Sequence, residues 1–139
     1  MEVVKRNENK VYFRLHDFEG EPDEITKKLL LNPTNSWKKG DVIPNRKGDI
    51  RRKQSTWELM SSRDVGDSIE DHLESLLNQI EKNQAVFKQM IKKYSSELSI
   101  VMYLYDDFNP GINLKPNIIK RIADLELEID FDIYFLNQS

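Results

Sequence analysis

The sequence predicts an α+β fold: a two-layer sandwich with a mixed or mainly antiparallel sheet of four to five strands and helices on one face. Three observations carry that expectation. Val11–His16 alternates, with Val11, Phe13 and Leu15 on one side and Tyr12, Arg14 and His16 on the other, the period of a half-buried strand. Leu127, Ile129, Phe131, Ile133 and Phe135 alternate in the same way with Glu126, Glu128, Asp130 and Asp132. Between these stretches, Ile69, Leu73, Leu76, Leu77, Ile80, Phe87, Met90, Ile91 and Tyr94 recur at spacings of three and four, the stripe of an amphipathic helix. A parallel sheet covered on both faces would instead show continuous apolar runs.

The elements follow in order. Residues 1–10 are charged and aperiodic, a loose lead-in to a single domain over 11–139. After the first strand, Pro22 suits a first helical position, with Asp23 and Glu24 favourable to the dipole there. Ile25, Leu29 and Leu30 form that helix's apolar stripe. Asn32-Pro33 ends it, because the residue before proline is pushed out of the α region. Asp41–Pro44 reads as a short edge strand, and Ser55–Met60 as a strand with Trp57 and Leu59 on one face.

Asp67 and Glu70, three apart, read as a variant capping box opening the long helical region. Unbroken over 67–94 it would be about 40 Å long, so the polar stretch Glu81–Gln84 is expected to split it. Leu98–Tyr105 is apolar on both faces, as befits a central strand. Pro116 opens a last helix with Ile118, Ile119, Ile122 and Leu125 inward.

Composition narrows the function classes. With 139 residues, one domain is expected. There is no cysteine, which excludes disulfides, thiolate nucleophiles and cysteine zinc sites. The polar amino terminus and the lack of an apolar run near the ~20 residues that span a bilayer point to a cytoplasmic protein with no membrane association. Between Trp37 and Trp57, the only tryptophans, seven basic residues face two acidic ones, a local +5 in a chain of net charge −3. Interleaved Trp and Lys/Arg suit a single-stranded nucleic-acid groove. A bulk nucleic-acid binder is more often basic overall, so the window reads instead as a tryptophan-anchored loop, packed near or across the sheet. One form of this has the basic loop lying over the acidic last strand.

Strand period two assigns the second sheet face: Tyr12, Arg14 and His16, then Glu58, then Val101, Tyr103 and Tyr105, then Glu128, Asp130, Asp132 and Tyr134. With Trp37 and Trp57 these supply the candidate binding surface: Tyr12, Arg14, His16, Trp37, Trp57, Tyr103, Tyr105, Asp130, Asp132 and Tyr134. Tyrosines are favoured where one end of a side chain is buried and the other wet. The alternate acids from Glu126 to Asp132 could hold a cation only if other oxygens converged. They read as a solvated face, and Asp106-Asp107 as turn residues. His72, on the polar side of the long helix, is expected to be exposed. No metal, cofactor or catalytic set is indicated, and no phosphate loop, metalloprotease or nucleophile-elbow motif occurs.

Ile25-Thr26 with Leu29-Leu30, Pro33-Thr34, Trp37, Gly40, Ser55–Leu59, Ile69–Leu73, Pro110-Gly111 with Leu114, and Ile129–Tyr134 together give the chain, over residues 10–136, a resemblance to the bacterial family Domain of Unknown Function 4279. The resemblance implies a small bacterial protein and carries over no catalytic or binding residue. The expected function is non-enzymatic protein interaction; one form is an immunity-type protein whose acidic surface neutralises a basic toxin. The alternative is a small-ligand domain or enzyme with a pocket between the Trp37–Trp57 loop and the sheet, using His16, Asp130 or Asp132.

Overall fold

The structure, a computed structural model, describes residues 6–105 and 109–136. The expected turn acids Asp106-Asp107, and residues 1–5 of the expected lead-in, lie outside these. Among the described residues, five strands and four helices run in the order β1 (Glu8–His16), α1 (Pro22–Leu29), β2 (Asn35–Trp37), β3 (Thr56–Met60), α2 (Ile69–Glu81), α3 (Gln84–Lys93), β4 (Ser95–Leu104), α4 (Pro116–Asp124) and β5 (Ile129–Phe135). The first strand starts inside the stretch read as a lead-in, and β2 carries no clear alternation because it is only three residues long.

The sheet order is β2-β3-β1-β4-β5. β1 pairs antiparallel with β3 and with β4, and β2 antiparallel with β3, while β4 and β5 run parallel. A parallel pair needs a long crossover, which α4 and its flanking loops supply. The sheet is therefore mixed and mostly antiparallel, in an α+β fold. Val11, Phe13, Leu15, Trp57, Leu59, Leu98, Ile100, Met102 and Leu104 join the buried residues of all four helices in one core cluster. The helices thus cover one sheet face. Phe13 is central to it, with its ring edge-to-face against Trp57 at 6.2 Å and Phe87 at 5.4 Å.

Helix ends follow local chemistry. Ser68, not Asp67, caps α2: its Oγ accepts from the Asp71 N–H at 3.1 Å. The break at Lys82-Asn83 separates α2 from α3, and Asn83 turns its amide outward to donate to the carbonyls of Lys28 and Leu29. That contact ties the helical hairpin to the end of α1. Leu30 is not inward. It adopts φ 59°, the left-handed conformation that closes α1 through its N–H to the Thr26 carbonyl, and it is exposed.

His72 is buried rather than exposed, its Nδ1 2.9 Å from Ser61 Oγ. Its Nε2 makes no hydrogen bond of proper geometry among the described residues. Burial holds the imidazole pKa below the usual histidine value, and the nearby Asp64 carbonyl pulls the other way. No helix among the described residues is long and apolar enough to cross a membrane.

Candidate functional site

The strand registers set the open face as rows across the sheet. Asn35, Glu58, Arg14 and Glu97 lie in register over β2, β3, β1 and β4; Trp37, Thr56, His16 and Ser95 form the next row. The side chains of these rows are joined. Arg14 Nε donates to Glu58 Oε2 at 2.8 Å and Arg14 Nη1 to Ser99 Oγ at 3.0 Å. Asn35 Nδ2 donates to the other Glu58 oxygen at 3.1 Å. His16 bridges Thr56 Oγ1, 3.0 Å from Nδ1, and Glu97 Oε1, 3.1 Å from Nε2. Glu58 is only 6% exposed. A buried carboxylate needs such compensation, and Arg14 and Asn35 provide it.

Over one end of this floor stands the basic segment 38–53. It is not a strand and not a slack loop, but a bridged ribbon. The Gly40 N–H donates to the Arg52 carbonyl, the Arg52 N–H to the Asp41 carbonyl and the Ile43 N–H to the Ile50 carbonyl, at 2.7–2.9 Å. Val42 and Arg51 form a β-bridge. Arg51 also holds the Gly40 carbonyl and the Asp49 carboxylate. Gly40 and Gly48 both take the positive φ that these reversals require.

The ribbon is pinned at its base. The guanidinium of Arg52 lies over the Trp37 ring, 3.9 Å from its centroid. Lys38 pairs with Glu21 at 2.7 Å, which raises the pKa of its ammonium. The Lys39 N–H donates to Ser55 Oγ at 2.9 Å. Between ribbon and sheet lies a cleft of about 780 Å³. Arg14, His16, Thr56, Glu58 and Glu97 line its floor, and Ile43, Ile50, Arg51, Arg52 and Lys53 its ribbon wall.

The predicted surface residues therefore divide. Arg14, His16 and Trp37 meet in the cleft. Tyr12, Tyr103, Tyr134, Asp130 and Asp132 occupy the remainder of the open face, toward β5. There Tyr103 and Tyr134 stack at 5.4 Å, and the Tyr134 hydroxyl donates to Asp132 at 2.8 Å, which raises its pKa. Tyr12 lies under the Arg14 guanidinium, and burial raises its phenol pKa. Tyr105 stands one residue past β4, its N–H donating to Asn7 Oδ1 at 2.7 Å.

Trp57 does not belong to this surface. It faces the helix layer, fully buried, and its indole N–H donates to Thr26 Oγ1 on α1 at 3.0 Å. The ribbon does not lie over the acidic strand either: β2 and β5 are opposite edges of the sheet. Among the described residues, the ribbon's ion pairs are made with Glu21 and Asp49 instead.

Glu97, Thr56, Ser99 and Asn35 are site residues the sequence reading passed over. Glu97 and Ser99 were legible: extending the alternation of Val101 and Tyr103 two steps back places both on the open face. Asn35 had no such signal. Among the described residues, no group of three or more histidine and acidic side chains converges as a cation site.

No curated protein and no solved structure matches the chain. The family described as Domain of unknown function (DUF4279) matches residues 7–136, nearly the whole chain, and the protein belongs to that family.

Proposed function

We propose that the protein is a non-enzymatic interaction domain that takes an acidic segment of a partner protein into the cleft between the basic ribbon and the sheet. The observation that carries this reading is the asymmetry of the cleft. On the floor, the Arg14 and Glu58 charges are spent on each other and His16 is held between Thr56 and Glu97. On the ribbon wall, Arg51, Arg52 and Lys53 stand beside Ile43 and Ile50. Arg51 is paired with Asp49, so the wall offers the charges of Lys53 and of Arg52, stacked on Trp37, together with apolar contact, while the floor's Glu58 is neutralised by Arg14 and its Glu97 is hydrogen-bonded to His16. The ribbon's own hydrogen bonds preorganise it, which lowers the entropy lost on binding. Charge complementarity of this kind favours fast, salt-sensitive association.

The test is affinity capture from the source cell with the tagged protein and with an Arg52→Glu/Lys53→Glu variant. The reading expects a protein held by the first at low salt, released as salt rises, and absent with the variant. A protein retained equally by both, or none at all, overturns it.

One observation favours a second, hydrolytic reading: a hydroxyl, an imidazole and a carboxylate follow one another in Thr56, His16 and Glu97 at 3.0 and 3.1 Å, the order of a nucleophile, its base and an orienting acid. Thr56 is 1% exposed, which suits a structural relay better than a nucleophile. Ester or amide hydrolysis abolished by His16→Ala would establish this second reading instead.

A further inference from the structure

β5 is the barest element of the sheet. Phe131, Ile133 and Phe135 lie on the helix-covered face, in register with the core residues Ile100, Met102 and Leu104, yet are 45%, 41% and 80% exposed. The two phenylalanine rings alone leave roughly 200–300 Å² of apolar surface to solvent, taking a ring side chain as about 150–250 Å².

Among the described residues the strand is also an unpaired edge. Its free hydrogen-bonding groups can be assigned. At one end the Leu98 N–H donates to the Glu128 carbonyl at 2.9 Å; at the other the Leu136 N–H donates to the Leu104 carbonyl at 2.8 Å. In a parallel ladder alternate residues face the neighbouring strand. Even-numbered β5 residues therefore point their backbone groups at β4. The N–H and C=O groups of Ile129, Phe131, Ile133 and Phe135 point away from the sheet.

Natural edges of this length are usually blunted by charges, Pro or a bulge; β5 has no Lys or Pro, and its charges are Asp130 and Asp132 on the open face. We propose that β5 is the seam of a homodimer, pairing antiparallel with β5 of a second copy about a dyad at Ile133, so that two five-stranded sheets become one.

The sequence favours a second copy as the occupant and narrows the register. Residues with outward groups meet one another only if the dyad passes through a residue, not between two. A dyad at Asp132 sets Asp132 against Asp132, and a dyad at Phe131 sets Asp130 against Asp132, twice. Like charges directly opposite are destabilising. A dyad at Ile133 sets Ile133 against Ile133, Phe131 against Phe135 and Asp132 against Tyr134, each twice where the pair is unlike. The exposed residues Phe131, Ile133 and Phe135 then all meet apolar ones and each Asp132 meets a tyrosine, with Asp130 facing Leu136; a dyad at Tyr134 would instead set Asp132 against Leu136 and Tyr134 against Tyr134. A strand this close to self-complementary, Phe-Asp-Ile-Tyr-Phe about its centre, fits a second copy of itself. It also keeps the dimer seam at the opposite edge from the ribbon cleft, so the two surfaces are independent.

The experiment is sedimentation equilibrium on the full chain, with amide hydrogen exchange read at residues 131, 133 and 135. The wild type is expected at twice 16.4 kDa, with those three amides protected. Tyr134→Asp faces Asp132 of the other copy and is expected to weaken association by about tenfold or more, with far-UV circular dichroism retained. Adding Asp132→Lys to it restores opposite charges across the seam and is expected to restore the dimer. If Tyr134→Asp does not fold, Ile133→Pro serves: it removes an outward-facing N–H, which an edge strand tolerates, and is expected to be monomeric. A wild type that stays monomeric with fast exchange overturns the proposal. So does a dimer indifferent to the variants, and so does an edge protected only when another protein is added.

Discussion

β3 and β5 are strands of similar length with the same apolar-polar alternation, and they end in opposite environments. β3 is sandwiched. Thr56, Trp57, Glu58 and Leu59 are all buried, its apolar residues against the helices and its polar ones under Arg14, His16 and Asn35. β5 alternates more cleanly in sequence, yet Asp130–Phe135 is exposed on both faces. Alternation sets which face a residue takes. The number of neighbours beside the strand decides whether that face is dry: β3 has β1 and β2 at its sides, β5 only β4.

If that contrast is right, truncation on β3 should hurt most. Trp57→Ala removes a fully buried ring and leaves the Thr26 hydroxyl without its indole donor. A loss of about 3–5 kcal/mol is expected from urea denaturation. A loss below about 1 kcal/mol would mean the helix layer closes over the site and β3 is not the sandwiched strand described.

The next effect comes from the other face of β3. Arg14→Ala strands a buried carboxylate, since Glu58 loses the donor at 2.8 Å and keeps only Asn35. Arg14 is about a quarter exposed, so solvent reaches part of the gap, and a loss of about 1–3 kcal/mol is expected. The double variant Arg14→Met/Glu58→Leu should be milder than Arg14→Ala, because no buried charge then remains. If the double variant is the worse of the two, Glu58 is not compensated mainly by Arg14.

Below these lies a pH effect beside the end of β3. His72 packs against Ser61 with its pKa lowered by burial. Unfolded, it binds a proton below about pH 6.5; folded, it does so only at lower pH. Between those two values the unfolded state holds the extra proton, so stability falls as pH drops below about 6.5 and is fully present above it. Thermal melts across this range should show the slope, and His72→Gln should flatten it. A variant with an unchanged slope would assign the acid sensitivity to other groups.

These positions also mark how far the sequence could be read. The four longer strands, the helices, the break near Asn83 and the proline-initiated helices follow from local periodicity and caps and are present, whereas the edge strand expected at Asp41–Pro44 is absent and the sheet's edge is instead Asn35–Trp37. That Trp57 and Leu59 share one face was legible for the same reason. What local pattern could not supply was sheet order. Without it, the basic segment could be laid across the acidic strand, although they are at opposite edges, and Trp57 could be counted with Trp37 on one surface. His72 was misjudged because a polar residue on a helix is presumed wet, whereas Ser61 gives this one a buried partner. The cleft itself depends on a ribbon closed by backbone hydrogen bonds between residues about ten apart, from Gly40 to Arg52, and side-chain type says little about those.

The smallest effect belongs to β5 and tests the contrast from its other end. By sequence alone Phe135→Thr deletes a core aromatic from a strand and would be as costly as Trp57→Ala. In the fold, Phe135 is the most exposed large apolar residue among those described. Its neighbour Leu104 is already covered from the helix side and paired along β4. Threonine keeps the β-branched preference for a strand, so the monomer should change by no more than about 0.5 kcal/mol. The measurement is urea unfolding at low protein concentration, where association at β5 contributes nothing. A loss above about 1.5 kcal/mol there would mean that β5 is anchored by its apolar row within one chain, and the distinction between a sandwiched β3 and a bare β5 would fail.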